Sequence, residues 1–135
     1  MSISVFDITI ALLVQTTAPL DVISEIMETI PTKQTPTFNS DGKVIGEKCN
    51  TWVFHTQYKN QTDLDMCLCN FLSRIPNISQ KILLAKQYGK CALRLSIVSI
   101  YGQFGFELKP SDLQILTPFD IPLEISVFSY GNVPD

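Results

Sequence analysis

The sequence has few charged residues and few residues of the types that carry chemistry. Charged side chains make up 17% of the 135 residues, and there is one histidine. The 13 acidic residues outnumber the 10 basic ones, for a net charge of −3. A protein that binds a nucleic-acid backbone normally has a surplus of positive charge, so we expect no nucleic-acid partner. The hydrophobic content of 45% excludes an intrinsically disordered chain.

Long hydrophobic runs and cysteine motifs are also absent from the sequence. No apolar run approaches the roughly 18 residues that a transmembrane helix needs. The apolar N-terminal stretch has no basic leading region and contains Asp7, unlike a secretory signal peptide. The four cysteines, Cys49, Cys67, Cys69 and Cys91, form no C-x-x-C pair and no disulfide framework. We therefore expect a cytoplasmic protein with no membrane segment, no metal and no cofactor.

The hydrophobic periodicity predicts strands that alternate with helices in a single domain over residues 1–135. Strands are predicted at 3–14, 51–58, 91–101 and 121–130, with a further short strand near 35–38. The apolar residues expected to face inward from the last strand are Ile121, Leu123, Ile125 and Val127. Helices are predicted at 19–29, 63–75 and 79–88, with Gly89 as the C-cap of the third, and a short helix is predicted after Pro110. The order β-α-β-α-α-β-α-β is typical of an α+β fold, with helices packed on one face of a largely antiparallel sheet of four to five strands and a ferredoxin-like tendency.

The predicted helix at 19–29 is the most clearly amphipathic segment of the chain. Its apolar side consists of Val22, Ile23, Ile26, Met27 and Ile30. Asp21, Glu25 and Glu28 form an acidic stripe on the opposite side. A solvated helix face is the simpler interpretation of this stripe, and a docking surface for a basic partner is the alternative.

Residues that could support catalysis are scarce. His55 is the one imidazole, and Cys49 lies six residues before it. If both residues belonged to one extended strand, they would be too far apart to form a Cys–His pair. Asp63 and Asp65 lie at a predicted helix start, where acidic residues serve as caps. The sequence therefore predicts no catalytic residues and a protein that is not an enzyme.

Several landmarks, taken in order along the chain, resemble a known family. They are a T-x-A-P-L-D-x-I helix start, an N-T-W-V-F strand at 50–54, and a closing I-P-L-E-I-S-V-F-S-Y segment at 121–130. This pattern resembles the small bacterial family called domain of unknown function 4279 over nearly the whole chain, with Trp52 as its most distinctive residue. The resemblance implies a compact α+β domain with no established activity, and it transfers no catalytic residues.

These observations favour a non-enzymatic protein-interaction domain. Its most concrete form is an immunity-type inhibitor that binds a basic partner protein through Asp21, Glu25 and Glu28. The alternative is a small-molecule-binding or regulatory domain. Its pocket would lie between the sheet and the long connection at 31–50, near Trp52 and His55.

Overall fold

A computed structural model of the protein describes residues 6–36, 50–101 and 107–132. The strands are β1 (Phe6–Thr16), β2 (Lys33–Pro36), β3 (Asn50–Gln61), β4 (Gly89–Tyr101) and β5 (Leu123–Asn132). The helices are α1 (Leu20–Met27), α2 (Leu64–Ser73), α3 (Ile78–Ala85) and α4 (Pro110–Leu116), and a 3₁₀ turn follows at Thr117–Phe119. No helix in these described ranges is long and apolar enough to cross a bilayer.

The strands form one mixed sheet in the order β2-β3-β1-β4-β5. The central strand β1 is antiparallel to both β3 and β4, and β2 is antiparallel to β3. Only the β4–β5 pair is parallel in the described sheet, with α4 in the connection between them. The predicted α+β fold with a largely antiparallel sheet is confirmed. The chain shares with the ferredoxin-like motif only the alternation of strands and helices. It departs from that motif between β3 and β4, where α2 and α3 replace a direct strand-to-strand link.

The core lies between the helices and one face of the sheet. Every second residue of β1 faces the helices and is fully buried, namely Ile8, Ile10, Leu12 and Val14. Their partners across the β1–β4 ladder are also buried, namely Ile97, Leu95, Leu93 and Cys91. From the helix layer, Phe71 of α2 packs on Phe54 of β3 with ring centroids 5.6 Å apart. The strict alternation in β1 therefore decides which sheet face the helices cover.

The ends of α1 and α2 follow from local signals. Asp63 caps α2, because its carboxylate accepts a hydrogen bond of 3.2 Å from the backbone N–H of Met66. Helix α1 ends at Met27, two residues before the predicted end, because Glu28 adopts a left-handed conformation with φ of 50°. As a result Ile30 is 84% exposed, and its predicted place on the apolar side of the helix is wrong.

The end of α3 and the start of β4 also differ from the prediction. Helix α3 ends at Ala85, so Gly89 does not cap it and instead begins β4 opposite Thr16. A Cβ atom at position 89 would overlap the backbone carbonyl of Gln15. A glycine is therefore required there by the close approach of the two strands.

Strand β5 lies at the edge of the sheet and is less buried than the sequence suggested. Ile125 and Val127 were expected to face inward, but they are 41% and 51% exposed. Each pairs with a buried β4 residue, Leu95 and Ile97 respectively. Ile125 and Val127 therefore lie on the same sheet face as the buried β4 residues, as the alternation predicts. They remain exposed because the described residues cover this edge of the sheet only partly.

Candidate functional site

Of the three acidic residues predicted as a stripe on the first helix, Glu28 forms an ion pair within the protein. Asp21 and Glu25 lie one turn apart on α1, and both are exposed. Glu28 lies just beyond the helix, and its carboxylate forms an ion pair of 3.5 Å with Lys81 Nζ. The same ammonium group donates a hydrogen bond of 3.2 Å to the backbone carbonyl of Met27. Glu28 therefore belongs to a structural contact between α1 and α3.

Trp52 lies in the core and presents no surface to a ligand. Its side chain is fully buried on the helix-facing side of β3, and its indole Nε1 donates a hydrogen bond of 3.0 Å to Ser24 Oγ. Residues 37–49 of the long connection, which were expected to complete a pocket here, lie outside the described residues.

His55 points to the opposite face of the sheet from Trp52. The hydroxyl oxygen of Thr32 accepts a hydrogen bond of 2.9 Å from the His55 backbone N–H, and it also contacts the ring Nδ1. Residues three apart on a strand point to opposite faces, so the two predicted ligand-binding side chains cannot contact one ligand through the sheet. The structure does not bring Trp52 and His55 together.

The structure instead brings together three groups that the sequence did not connect. Asp65 and Cys69 are one turn apart on α2, and Asp112 lies in the first turn of α4. A carboxylate oxygen from each aspartate and the Cys69 sulfur all lie within 4.8 Å of one another. The other α2 cysteine, Cys67, is buried in the core, as the helical spacing predicts.

Asp112 is the most unusual member of this acidic cluster, which we define as Asp65, Cys69 and Asp112. Its side chain is 0% exposed, although charged side chains are rarely fully buried without a partner. One carboxylate oxygen, Oδ2, accepts a hydrogen bond of 2.9 Å from the backbone N–H of Lys109 at the start of α4. The other oxygen, Oδ1, is buried and has no hydrogen-bond partner among the described residues.

The Asp112 carboxyl raises the proton affinity of Asp65. The pKa of Asp65 is raised mainly by hydrogen bonding to the Asp112 carboxyl, then by burial and by the negative charge of Asp112. Lys109 opposes this shift in the pKa of Asp65, since its positive charge favours the ionised form. Such a pair is stabilised by a shared proton or by a bound cation, because two adjacent carboxylates repel each other.

The Cys69 thiol experiences the same negative field. Its pKa is raised by partial burial and by the neighbouring charges of Asp65, Asp112 and Asp63. The thiol is therefore less nucleophilic than a typical cysteine, because the thiolate is the reactive form. This argues against a role for Cys69 in nucleophilic catalysis.

An open cavity of about 620 Å³ borders the cluster. It is lined by Phe6, Thr62, Asp63, Leu64, Asp65, Glu107 and Lys109. Three of these side chains are acidic and one is basic, so the cavity favours positively charged groups. Asp65 belongs to both the cavity wall and the cluster, which makes the cluster accessible from solvent.

The spacing of Asp65 and Cys69 on one helix face was readable in the sequence, whereas the approach of Asp112 depends on how α4 packs.

Comparison of the chain with protein-family models, with curated proteins and with solved structures gives no match. The resemblance to the domain of unknown function 4279 family therefore stays a prediction, and any function must be argued from the geometry.

Proposed function

We propose that the protein is a non-enzymatic interaction domain that binds a basic partner protein through the outer face of α1, in the manner of an immunity-type inhibitor. The supporting observation is that Asp21 and Glu25 are exposed one turn apart and form no ion pair within the described parts of the chain. Unpaired surface carboxylates steer association with a cationic surface and discriminate against acidic partners.

An apolar side chain lies close in sequence to these acidic residues. Ile30 is 84% exposed just beyond the end of α1. Interfaces combine apolar anchors with a charged rim, and an exposed isoleucine is the kind of side chain that serves as such an anchor. The small-molecule alternative has less support, since Trp52 is fully buried and His55 faces the other side of the sheet.

We place this interaction in the cytoplasm. Cys67, Cys69 and Cys91 are free thiols in the structure, and reducing conditions preserve that state.

The test is a comparison of captured partners between two charge-matched variants. The test variant carries Asp21→Lys and Glu25→Lys, and it leaves Glu28 unchanged because that residue pairs with Lys81. The control carries lysine at four exposed neutral positions outside α1, which changes the net charge equally without breaking an ion pair; the substitutions are Gln57→Lys, Gln87→Lys, Gln114→Lys and Ser126→Lys. Each tagged chain is incubated with lysate of its native cell, and the captured proteins are identified and quantified by mass spectrometry.

We expect the wild-type chain and the control to capture one stoichiometric basic protein. The test variant should bind that protein at least about tenfold more weakly, since like charges would then face each other. Binding should also weaken as salt is added, because exposed charges are screened. A partner held equally well by the test variant, or the capture of no basic partner, would contradict the proposal.

A further inference from the structure

We propose that Asp65, Cys69 and Asp112 bind one divalent transition-metal cation, of the class represented by Zn²⁺, where α2 meets α4. This inference does not depend on the proposed protein interaction, because the acidic cluster uses neither α1 nor its side chains.

The buried oxygen of Asp112 is the observation that points to a ligand. Acidic groups often cluster on protein surfaces without an ion, but Asp112 is fully buried and its Oδ1 has no hydrogen-bond partner in the described ranges. A buried carboxylate oxygen without a partner is costly. Asp65 can donate to the Asp112 carboxyl only while it is protonated, and Cys69 is a weak donor. Once Asp65 is ionised, a cation satisfies the buried oxygen better than either group.

The donor set selects the class of metal. Two carboxylate oxygens and one sulfur suit Zn²⁺ and related borderline cations, whereas Ca²⁺ and Mg²⁺ prefer oxygen ligands throughout. Bonds of about 2.0–2.3 Å to a tetrahedral Zn²⁺ place its ligand atoms roughly 3.5 Å apart. The three groups lie within 4.8 Å of one another, so small rotations of the Asp65 and Cys69 side chains bring them into range.

The surroundings provide an approach and a remaining coordination position. Asp65 lines the 620 Å³ cavity together with Asp63 and Glu107, whose charges attract a cation. Lys109 lines the same cavity and opposes this attraction, so it lowers the affinity without blocking the site. Water, or a carboxylate from the cavity wall, completes the coordination.

Metal binding is coupled to proton release. The Cys69 S–H bond breaks as the sulfur–metal bond forms, and the proton passes to the buffer. Asp65 and Asp112 ligate the cation as carboxylates, so neither holds a proton in the metal-bound state. The amount of proton released therefore reports on the ligands themselves.

The first experiment is a calorimetric titration of the full chain with ZnCl₂ after treatment with a chelator, repeated in buffers of different ionisation enthalpy. We expect saturable binding of one equivalent, accompanied by proton release. Cys69→Ser and Asp65→Asn should each weaken binding at least about tenfold, because each removes a direct ligand. Asp112→Asn is informative if circular dichroism shows a native fold, since this residue also caps α4.

The control removes two other candidate ligands outside the cluster and leaves the buried thiols of Cys67 and Cys91 in place. A Cys49→Ser/His55→Ala double variant should bind Zn²⁺ as the wild type does. With Co²⁺ in place of Zn²⁺, a sulfur-to-metal charge-transfer absorption should appear, and Cys69→Ser should abolish it.

Four results would each overturn the proposal. The first is the absence of saturable Zn²⁺ binding by the wild type, and the second is wild-type Zn²⁺ affinity in Cys69→Ser and Asp65→Asn. The third is loss of Zn²⁺ binding in the double control variant, and the fourth is binding of Ca²⁺ or Mg²⁺ as tight as that of Zn²⁺. If no Zn²⁺ binds, a proton held between the two carboxyl groups would explain why Asp65 and Asp112 lie side by side. None of these results bears on capture of a basic partner by α1.

Discussion

The indole Nε1 of Trp52 donates a hydrogen bond of 3.0 Å to Oγ of Ser24, and this contact joins the first part of β3 to α1. Trp52 is fully buried, so its N–H group cannot turn to water if Ser24 is lost. The serine at this position therefore satisfies a polar group that the core would otherwise isolate.

Replacing Ser24 with alanine should destabilise the fold by about 1–3 kcal/mol, because it leaves the buried indole N–H without a partner. Urea unfolding followed by the fluorescence of Trp52, the one tryptophan of the chain, measures the change directly. Ser79→Ala, at an exposed position of α3, is the matched control and should stay within about 0.5 kcal/mol of the wild type. Equal stability of the two variants would mean that the hydrogen bond contributes nothing.

Lys81 and Glu28 form an ion pair, and we expect the two residues to contribute unequally to the free energy of unfolding. The Lys81 residue is 8% exposed and also donates to the Met27 carbonyl, whereas the Glu28 side chain is 78% exposed. We expect Lys81→Ala to cost about 1–3 kcal/mol, since it removes the packing of the buried lysine stem and one of the two hydrogen bonds that the Met27 carbonyl accepts, the other coming from the Thr29 hydroxyl. Glu28→Gln should cost less than about 0.5 kcal/mol, because water screens its charge.

A double-mutant cycle on these two residues, measured by urea unfolding, separates the ion pair from the other contacts of Lys81. A small coupling energy is expected. A loss from Glu28→Gln as large as that from Lys81→Ala would show that the ion pair, and not the carbonyl contact, holds the end of α1.

Gly89 should not tolerate a side chain. Gly89→Ala places a Cβ against the Gln15 carbonyl, where β1 and β4 pair. Because the overlap is with backbone, the strands must separate, and we expect a loss of about 3 kcal/mol or more. Lys90→Ala, at the exposed neighbouring position, is the control and should unfold at nearly the wild-type urea concentration. A stable Gly89→Ala variant would contradict the strand spacing described here.

The Asp65–Asp112 pair should make the metal-free protein sensitive to pH. The pKa of Asp65 is raised in the folded state by its hydrogen bond to Asp112, so folding favours the protonated carboxyl. This contribution is fully present below the ordinary aspartate pKa of about 4 and is lost as the pH rises through the raised folded-state value. Asp65→Asn does not titrate, and its amide can still donate to Asp112.

Urea unfolding between pH 4 and pH 7, in the presence of a chelator, tests this expectation. The stability of the wild type relative to Asp65→Asn should fall as the pH rises. Asp21→Asn, which removes an exposed carboxylate on α1, should reproduce the wild-type profile. Parallel profiles for wild type and Asp65→Asn would show that the two carboxyl groups do not interact in solution.

The strands and helices were predictable where a few neighbouring residues decide the outcome. The alternation of Ile8, Ile10 and Leu12 predicted β1 and its buried face, and Asp63 predicted the start of α2. The end of α1 was not predictable from periodicity, because the apolar pattern continues to Ile30 while the chain turns at Glu28. The glycine at position 89 was predicted to cap a helix, whereas in the structure it allows the close approach of β1 and β4.

The candidate site was less predictable than the fold. The sequence pointed to Asp21, Glu25 and Glu28 as one stripe, and only the packing of α3 shows that Lys81 engages the third of them. Asp65 was interpretable as a helix-start residue from its neighbours alone. Its contact with Asp112 joins residues 47 positions apart, and no local pattern reports such a distance.

The α+β class, the location of most elements and the buried face of β1 follow from the sequence alone, because these properties depend on residues within one or two turns or pleats of each other. The order β2-β3-β1-β4-β5, the exposure of β5 and the approach of α4 to α2 were decided only in the tertiary structure. They depend on how apolar faces pack over long separations, and that packing brings the buried oxygen of Asp112 beside Asp65 and Cys69.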